Sequence, residues 1–576
     1  MRNAASPAGE GPTAGGSTSS VADLARRLVP GWVRNYRRQW LGADLIAGII
    51  VWSVVTPQCV AYAQIAGLPP QAGLMAAPGA MIGYALIGGS RSLVVSATTA
   101  TSAVSASAVG LLAHGDIKTF AMLSAALALA TALVLVGAGL LRLGGISDLV
   151  SKPVMTGMLF GVGLTITLDQ LPKVFGVKAG SGNFFARLGD LFGRLGSTHA
   201  ATFAVGAGSI VLLVALKRLL PRIPGTLVVL AAAITLSALL HLPDHGVEVI
   251  GKLPTALPNP SLPKVSGSDF VALLPAAFGV MLVSTEAVGV ARTLASQQRY
   301  SIDANRELIA IGTANLLAGC SQGFVQSGGA SQTAAADAAG GKTQLASVSA
   351  AGLVLLTGAF LAPVFKDLPE ATLAAIVIVA VSSFFRIDEL VRFASLRRSA
   401  ILLALLTLAG VLGLGILRGL ILAAALSLML VIYRLSRPEV SVLARDPHTG
   451  AWGAATRHEG WQQTPGTLVA RVDGPLFYGN SLHVKEWLLA LVARTEPTPA
   501  VVVLDLAQSV ELDVESLDAL SELGEALAAE AVELQLTSVH EPAQRLLQVA
   551  GVTQHARIQA SIAEAILSRP PGLRPD

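Results

Sequence analysis

Long apolar stretches separated by short polar loops dominate the chain from Asp44 to about Ser436. Each stretch has roughly 16–24 residues, which as a helix rising 1.5 Å per residue crosses about 30 Å of hydrocarbon. We therefore predict membrane-spanning helices. The clear stretches are 44–66, 70–89, 118–141, 153–171, 203–220, 225–240, 271–291, 347–365, 369–385, 400–416 and 418–433.

Three weaker segments, at 96–113, 307–320 and 327–339, raise the prediction to fourteen membrane segments. Two of them are rich in small residues and occupy corresponding places. Ser96 lies 52 residues after Asp44, where the first span starts, and Ser327 lies 56 residues after Val271, where the eighth starts. The pattern predicts an all-α membrane domain built from seven segments repeated twice. Short, glycine-interrupted segments at matching positions indicate a transporter's binding site near the bilayer midplane.

The small-residue segments have chemistry that suits an anion. A half-helix that starts in mid-membrane presents unpaired N–H groups and the positive end of its dipole. Two such starts facing each other would hold a small oxyanion without a full positive charge. We expect Gly328 and Gly329 to let the backbone approach the ligand. Hydroxyl donors would come from Ser96, Thr98, Thr99, Ser327 and Ser331. The alternative is that these small residues only allow close helix packing.

Two polar residues in the first and eighth spans occupy equivalent places in the two halves. Gln58 lies 14 residues after Asp44, and Glu286 lies 15 residues after Val271. A carboxylate near the bilayer centre is costly and usually marks a pathway, so Glu286 is a candidate proton carrier. The alternative is a structural carboxylate bonded to Ser284, Thr285 or the backbone. Asp44, at the membrane face, fits a helix cap better than a ligand.

The composition changes after Arg437. Strand-like and helix-like runs alternate there, which predicts a small α/β domain. The strands are expected at 466–472, 500–506 and 532–538, and the helices at 481–494, 515–530 and 541–549. We predict a disordered tail at 1–30, a membrane domain at 31–437, the α/β domain at 438–568 and a short tail at 569–576.

Composition narrows the class of protein. Only 13% of residues are charged and 53% are hydrophobic, whereas soluble domains average about 25% charged. This excludes a disordered chain, a nucleic-acid-binding protein and an ordinary cytosolic enzyme as descriptions of the whole chain. The two cysteines exclude a disulfide scaffold and a cysteine-rich metal site. We expect no enzymatic activity, no cofactor and no nucleic-acid partner.

Lys and Arg set the expected orientation. They are more frequent in the loops that face the cytoplasm when the N-terminus is inside, although four lie in the single outer loop 173–202. The bias, together with an even number of spans, predicts a multi-pass protein of the inner (plasma) membrane with both termini in the cytoplasm.

Several motifs together resemble the SulP-type anion permeases with a C-terminal STAS domain. The resemblance covers about residues 30–568. It rests on the order and spacing of Asp44-Leu45-Ile46-Ala47-Gly48, Pro57-Gln58, Ala61-Tyr62-Ala63, Gly67-Leu68-Pro69-Pro70, Gly88-Gly89-Ser90-Arg91, Glu286-Ala287, Asn305, Glu307-Leu308, Asn315 and Gly340-Gly341-Lys342-Thr343-Gln344-Leu345.

The resemblance implies two inverted repeats of seven segments, divided into a core and a gate, and a cytoplasmic STAS domain. It also implies a small inorganic anion bound between the third and tenth segments, a proton or sodium ion as the coupling ion, and a homodimer. Residue by residue, it places Gln58, Tyr62, Thr98, Gly329, Ala330 and Ser331 around the anion.

This chain departs from the family pattern at the site. Gln332 stands where the family commonly has an arginine, and Ser96-Ala97 replaces the common Gly-Pro of the third segment. A fixed positive charge is missing, so anion binding would rest on helix dipoles and hydroxyls. In the STAS domain Asp513 is followed by Val514 rather than by a phosphorylatable serine, which favours a structural or interaction role for that domain.

We predict secondary active transport of an inorganic anion, with sulfate the best single candidate and proton symport the expected coupling. The alternatives are a bicarbonate or dicarboxylate transporter coupled to protons or sodium, an uncoupled exchanger or channel, and a regulator derived from a transporter.

Overall fold

The chain divides into two compact units, with the boundary between Ser427 and Leu428. The tails predicted at 1–30 and 569–576 lie, apart from Pro30, outside the residues described. The computed structural model describes residues 30–113, 116–148, 151–220, 224–251 and 260–568.

Within these ranges a helix occupies each of the fourteen predicted segments, and two further helices lie in the loops. Among the described residues, seven helices are long and apolar enough to cross a membrane. After a helical turn at Gly31–Arg34, the helices are α1 (Leu41–Ile65), α2 (Gln71–Ile87), α3 (Thr99–Leu112), α4 (Ile117–Leu140), α5 (Lys152–Phe175), α6 (Phe184–Arg194), α7 (Ala200–Leu219), α8 (Gly225–Leu239), α9 (Gly267–Gln297), α10 (Ala304–Cys320), α11 (Ala330–Ala338), α12 (Leu345–Leu356), α13 (Glu370–Val381), α14 (Ile387–Leu396), α15 (Arg398–Leu414) and α16 (Ile416–Leu435).

The sequence predicted membrane segments at 96–113 and 327–339, but neither is helical from its first residue. Each starts with a two-residue strand, β1 (Val95–Ser96) and β2 (Ser327–Gly328), and only then becomes a half-helix, α3 or α11. The strands pair antiparallel, with Val95 opposite Gly328 and Ser96 opposite Ser327. Backbone groups that a broken helix leaves unpaired in the membrane are thereby satisfied within the protein.

The loop helices α6 and α14 were not predicted. Both are amphipathic and carry exposed apolar side chains, Phe185 and Phe192 on α6, Ile387 and Val391 on α14. Each mixes charged with apolar residues and so contains no long apolar run, which is why the sequence predicted only loops there. They follow the fifth and the twelfth segment, the same position in each half, as expected for seven segments repeated twice.

The membrane helices pack into two bundles. The first bundle contains α1–α4 and α9–α12, with α10 packed between α4 and α2, and α12 between α1 and α2. The second bundle contains α5, α7, α8 and α13–α15, with α5 packed on α13 and α15. The bundles touch where α1 meets α8 and α13, and where α3 meets α5. Each bundle combines helices from both halves of the chain.

The second unit is the predicted α/β domain. Its elements are β3 (Val440–Arg445), β4 (Trp452–Ala454), β5 (Thr467–Val472), α17 (Ser481–Arg494), β6 (Val501–Asp505), α18 (Val514–Ala529), β7 (Glu533–Thr537), α19 (Glu541–Val549), β8 (Ala556–Gln559) and α20 (Ile562–Leu567). The sheet has the order β4-β3-β5-β6-β7-β8, with parallel pairing from β5 to β8 and antiparallel pairing of β3 with β4 and β5. The sequence predicted β5–β7 and α17–α19 but missed β3, β4, β8 and α20.

Candidate functional site

The two half-helices begin beside each other because their strands are paired. The N–H of Gly329, the residue before α11, donates to Val94 O at 3.0 Å, and Val94 N–H donates to Thr333 Oγ1 at 3.1 Å. Thr98 precedes α3 and caps it, accepting from Thr101 N–H at 3.4 Å. The start of α11 has no side-chain cap.

We call the place where β1, β2 and the starts of α3 and α11 meet the crossing. Gln332 joins three elements there. Its side chain is 1% exposed. Its Nε2 donates to Gln58 Oε1 on α1 at 2.7 Å and to Ala97 O, just before α3, at 3.2 Å. The residue that replaces the family's arginine therefore points into the crossing, and its own Oε1 has no partner there.

The α1 side chains predicted for the site also reach the crossing. Gln58 and Tyr62 are buried and lie one helical turn apart. The Tyr62 hydroxyl lies close to the Thr99 side chain in the first turn of α3. The structure thus brings Gln58, Tyr62, Thr98, Thr99 and Gln332 together.

Side chains pack closely around the two predicted glycines. A Cβ on Gly329 would lie 1.7 Å from Gln332 Oε1, and one on Gly328 would lie 2.7 Å from the Cβ of Ala287. Ser327 is buried, and its hydroxyl bonds Ser284 Oγ on α9 at 3.2 Å. Close approach of the backbone to a ligand at Gly328 and Gly329 stays a prediction.

Ala330 and Ser331 form the open side of the crossing. Both are exposed, and in the described structure their N–H groups donate to no acceptor. Ser96, by contrast, is fully buried with an unpartnered hydroxyl. Free first-turn N–H groups and the positive end of the dipole make this start of α11 suitable for an anion.

Buried amides that the sequence did not single out hold the strands in place. Gln344 Nε2 donates to Ser90 O at 2.9 Å and Leu93 O at 3.0 Å, ahead of β1. Asn315 exchanges two bonds of 2.9 Å with the backbone of Gln326, ahead of β2. Their only sequence signal was membership of the family motifs.

Two buried carboxylates also hold turns in place. Glu307 accepts from the Tyr84 hydroxyl at 2.5 Å and from Gly89 N–H at 2.7 Å, which fixes the turn after α2. Asp44 accepts from Lys342 N–H at 2.6 Å and from Thr343 N–H and Oγ1 at 3.1 and 2.7 Å. The expected cap is therefore wrong: α1 begins at Leu41 without a side-chain cap, and Asp44, in its first turn, bonds the turn before α12 instead.

Glu307→Ala is expected to destabilise the membrane domain strongly. The change leaves the buried Tyr84 hydroxyl without an acceptor, at about 1–3 kcal/mol, and it also removes the acceptor of the half-buried Gly89 N–H. Thermal unfolding of the purified protein in detergent measures the loss. Glu370→Ala, which removes a half-exposed partner of Lys173, is the control and should cost no more than about 1 kcal/mol. Equal shifts in melting temperature for the two variants would contradict the proposed role of Glu307.

Glu286 is not the lone carboxylate that its apolar surroundings suggest. It is partly exposed, and its Oε1 lies 3.6 Å from Nη2 of Arg386, just before α14. Ser284 and Ala287 on the same helix face β2. Glu286 instead faces Arg386, and no described bond joins it to the crossing. Its role as proton carrier stays a prediction.

The side chains gathered at the crossing are all neutral, and within the described residues no group of three His, Cys, Asp or Glu could hold a metal ion. Two half-helix starts enclosed by a domain of many membrane helices, followed by a separate α/β unit, define a membrane transporter. The chain belongs to the Sulfate permease family: the family's sequence profile matches residues 41–407, and that of the STAS domain matches residues 461–565.

Relatives share most of the chain's length. A probable sulfate transporter of Mycobacterium tuberculosis is 35% identical over 520 residues, which cover 90% of this chain and 93% of the relative. Sulfate transporter 1.1 of Arabidopsis thaliana is 27% identical over 541 residues, covering 88% and 82%.

Solved structures share the fold. The structure of murine Solute Carrier 26 family member A9, an anion transporter, matches with a TM-score of 0.85 at 23% identity over 96% of this chain and 95% of its own. The transmembrane domain of a cyanobacterial bicarbonate transporter, BicA, matches with a TM-score of 0.59 at 20% identity over 68% and 98%. The expected family and fold class are confirmed.

Asp513 begins α18 in the STAS domain and ties it to a neighbouring loop. Its carboxylate accepts from Ser516 N–H at 3.0 Å and Tyr478 N–H at 2.6 Å. Burial alone would raise the pKa of Asp513, but these hydrogen bonds together hold it below its usual range. Ser516, the nearest hydroxyl, is fully buried, so a modifying enzyme could reach it only after local unfolding.

Proposed function

We propose that this protein carries sulfate across the membrane by proton symport, with the anion held at the starts of α3 and α11. The observation that supports this most is the open, uncapped start of α11 at Ala330 and Ser331. The Gln58–Gln332 bond fixes this start beside α3. The relatives' names as sulfate transporters support sulfate as the substrate.

Neutral donors suit a substrate that must also leave. Each helix start carries about half a positive charge, and hydroxyl and N–H donors add direct bonds to the oxyanion oxygens. A fixed cation would add attraction, but conduction and release require binding that is weak enough to reverse. Transport is therefore compatible with the absence of the family's arginine.

The test is uptake of radiolabelled sulfate into proteoliposomes that contain the purified full chain. We expect saturable uptake that an inward proton gradient drives uphill and that excess unlabelled sulfate blocks. Uptake driven only by a sodium gradient would overturn proton symport. Stronger competition by bicarbonate or a dicarboxylate than by sulfate would overturn the substrate.

Glu286 is the proposed proton carrier. Among the described carboxylates of the membrane helices, Asp44 and Glu307 bond buried turns, and Asp269 lies in the first turn of α9. The others already have a partner: Asp169 pairs with Arg187, Glu370 with Lys173, and Asp337 accepts from Gln298 Nε2 at 2.7 Å. Glu286 is partly exposed and has an ion-pair partner from the other bundle. Carrying a proton with sulfate offsets part of the cost of about 2.3 kcal/mol per charge per 100 mV against a negative interior.

Both termini are proposed to lie in the cytoplasm of a cell bounded by an inner (plasma) membrane, which places loop 173–202 outside. Ser181 is exposed in that loop. In a background without Cys59 and Cys320, Ser181→Cys should react with an impermeant maleimide added to intact cells. Reaction only in inside-out vesicles would reverse the orientation.

The homodimer implied by the resemblance is tested by light scattering of the purified protein.

Gln332→Arg is expected to tighten anion binding. Gln58 Oε1 and Ala97 O already lie at this side chain and can accept from a guanidinium. A charge about 4 Å from a monoanion contributes roughly 4 kcal/mol at an effective dielectric of 20, and most of this is offset by desolvation. We expect the KM for sulfate to fall about tenfold, or about 1.4 kcal/mol. Gln332→Met, which is neutral and of similar length, is the control. An unchanged KM and unchanged anion selectivity in Gln332→Arg would contradict the placement.

A further inference from the structure

The Glu286–Arg386 ion pair joins the two bundles. Glu286 lies on α9, which packs on α3 and α4 of the first bundle. Arg386 directly precedes α14, which packs on α5 and α15 of the second bundle. The side chains are 33% and 47% exposed and approach to 3.6 Å. The protein therefore does not seal the pair off from its surroundings, which any group that exchanges protons with solution requires.

The charges around Arg386 leave it available to Glu286. The second carboxylate nearby, Glu389, accepts from Lys152 Nζ at 2.7 Å and lies 3.8 Å from Arg392 Nη1. Arg386 also lies close enough to Glu389 to act on it electrostatically. Among the described residues, the cluster thus has two carboxylates and three cations, and Arg386 is the cation that acts on Glu286.

Building on the proposed proton symport, we propose that Arg386 is the positioning residue for Glu286 and that protonation of Glu286 breaks their bond between the bundles. A proton from the aqueous phase binds the carboxylate and neutralises it, so the attraction to the guanidinium is lost. When the proton leaves to water on the other side, the carboxylate is again ionised and the ion pair re-forms. Proton movement is thereby linked to movement of one bundle against the other.

Arg386→Gln tests this link in proteoliposomes that contain the full chain. We expect uphill sulfate accumulation driven by a proton gradient to fall at least tenfold, while exchange of labelled for unlabelled sulfate stays within about twofold of the unaltered protein. Removing the cation also favours the protonated carboxylate, so the pH dependence of exchange should move to higher pH. Arg386→Lys should restore accumulation because it keeps the charge.

Arg392→Gln is the matched control, since it removes a neighbouring exposed cation that pairs with Glu389 instead. Accumulation by Arg386→Gln equal to that of the unaltered protein, or an equal loss in Arg392→Gln, would overturn the proposal.

If Arg386→Gln does not fold, the double variant Glu286→Gln/Arg386→Gln is used instead. It leaves no carboxylate to pair and should restore a folded protein that exchanges sulfate. Failure of that variant to fold would also overturn the proposal. Absence of sulfate transport by the unaltered protein is a separate result, which refutes the proposed function instead.

Discussion

Ser331→Leu is expected to abolish sulfate uptake while leaving the protein folded in the membrane. Ser331 is exposed in the first turn of α11, where its hydroxyl and N–H are the donors nearest to the open side of the crossing. A leucine there puts a bulky apolar group where the anion needs polar contacts. We expect a loss of at least a hundredfold in initial rate, equivalent to about 2.8 kcal/mol.

Ala338→Leu provides the matched control for this prediction. Ala338 is exposed on the same helix but lies at its opposite end, so the same added volume should leave uptake near that of the unaltered protein. Thr98→Leu tests the facing half-helix and should also abolish uptake, with loss of the cap on α3 as an added cost. Normal uptake kinetics in Ser331→Leu and Thr98→Leu would exclude a site between the two half-helices.

Glu286→Gln is expected to separate exchange from accumulation. The amide imitates the protonated carboxylate, which has no charge to attract Arg386, and it keeps the size of the side chain, so the fold should be preserved. Exchange of labelled for unlabelled sulfate should continue. Accumulation driven by an acidic exterior should fall to the level measured without a gradient, because the variant cannot give up a proton inside.

Sulfate accumulation and exchange are measured in the same vesicle preparation, so that differences in reconstitution cancel. Glu370→Gln, which alters a carboxylate on the second bundle that pairs with Lys173, is the control and should accumulate sulfate normally. Accumulation by Glu286→Gln under an acidic exterior would make this carboxylate structural and require a coupling site elsewhere, such as one for sodium.

The span pattern and the two half-helices were predictable because each depends on local composition. A run of about 20 apolar residues predicts a span without any knowledge of its neighbours. The cluster from Ser327 to Thr333 stood out because it is too polar and too rich in small residues for a span. The strand pair β1–β2 was not predictable, since two residues in each strand carry no alternating pattern.

The polar contacts that hold the site could not be predicted for a different reason. Gln344, Glu307 and Asp44 each bond a turn more than 200 residues away in the chain. Nothing local distinguishes such a residue from one facing a pathway, which is why Asp44 was expected only to cap its own helix. The same limit hid Arg386 as the partner of Glu286, 100 residues later.

The pairing of β1 with β2 also constrains how the protein is made. Val94 and Thr333, which bond each other next to these strands, are 239 residues apart. At about 5–20 residues per second, a ribosome needs roughly 12–48 s to synthesise that interval. For that time β1 and the start of α3 have been made without the partner that satisfies their backbone groups, which lipid cannot supply. The first half of the chain therefore depends on the insertion machinery, or on water held within the nascent domain, until β2 arrives.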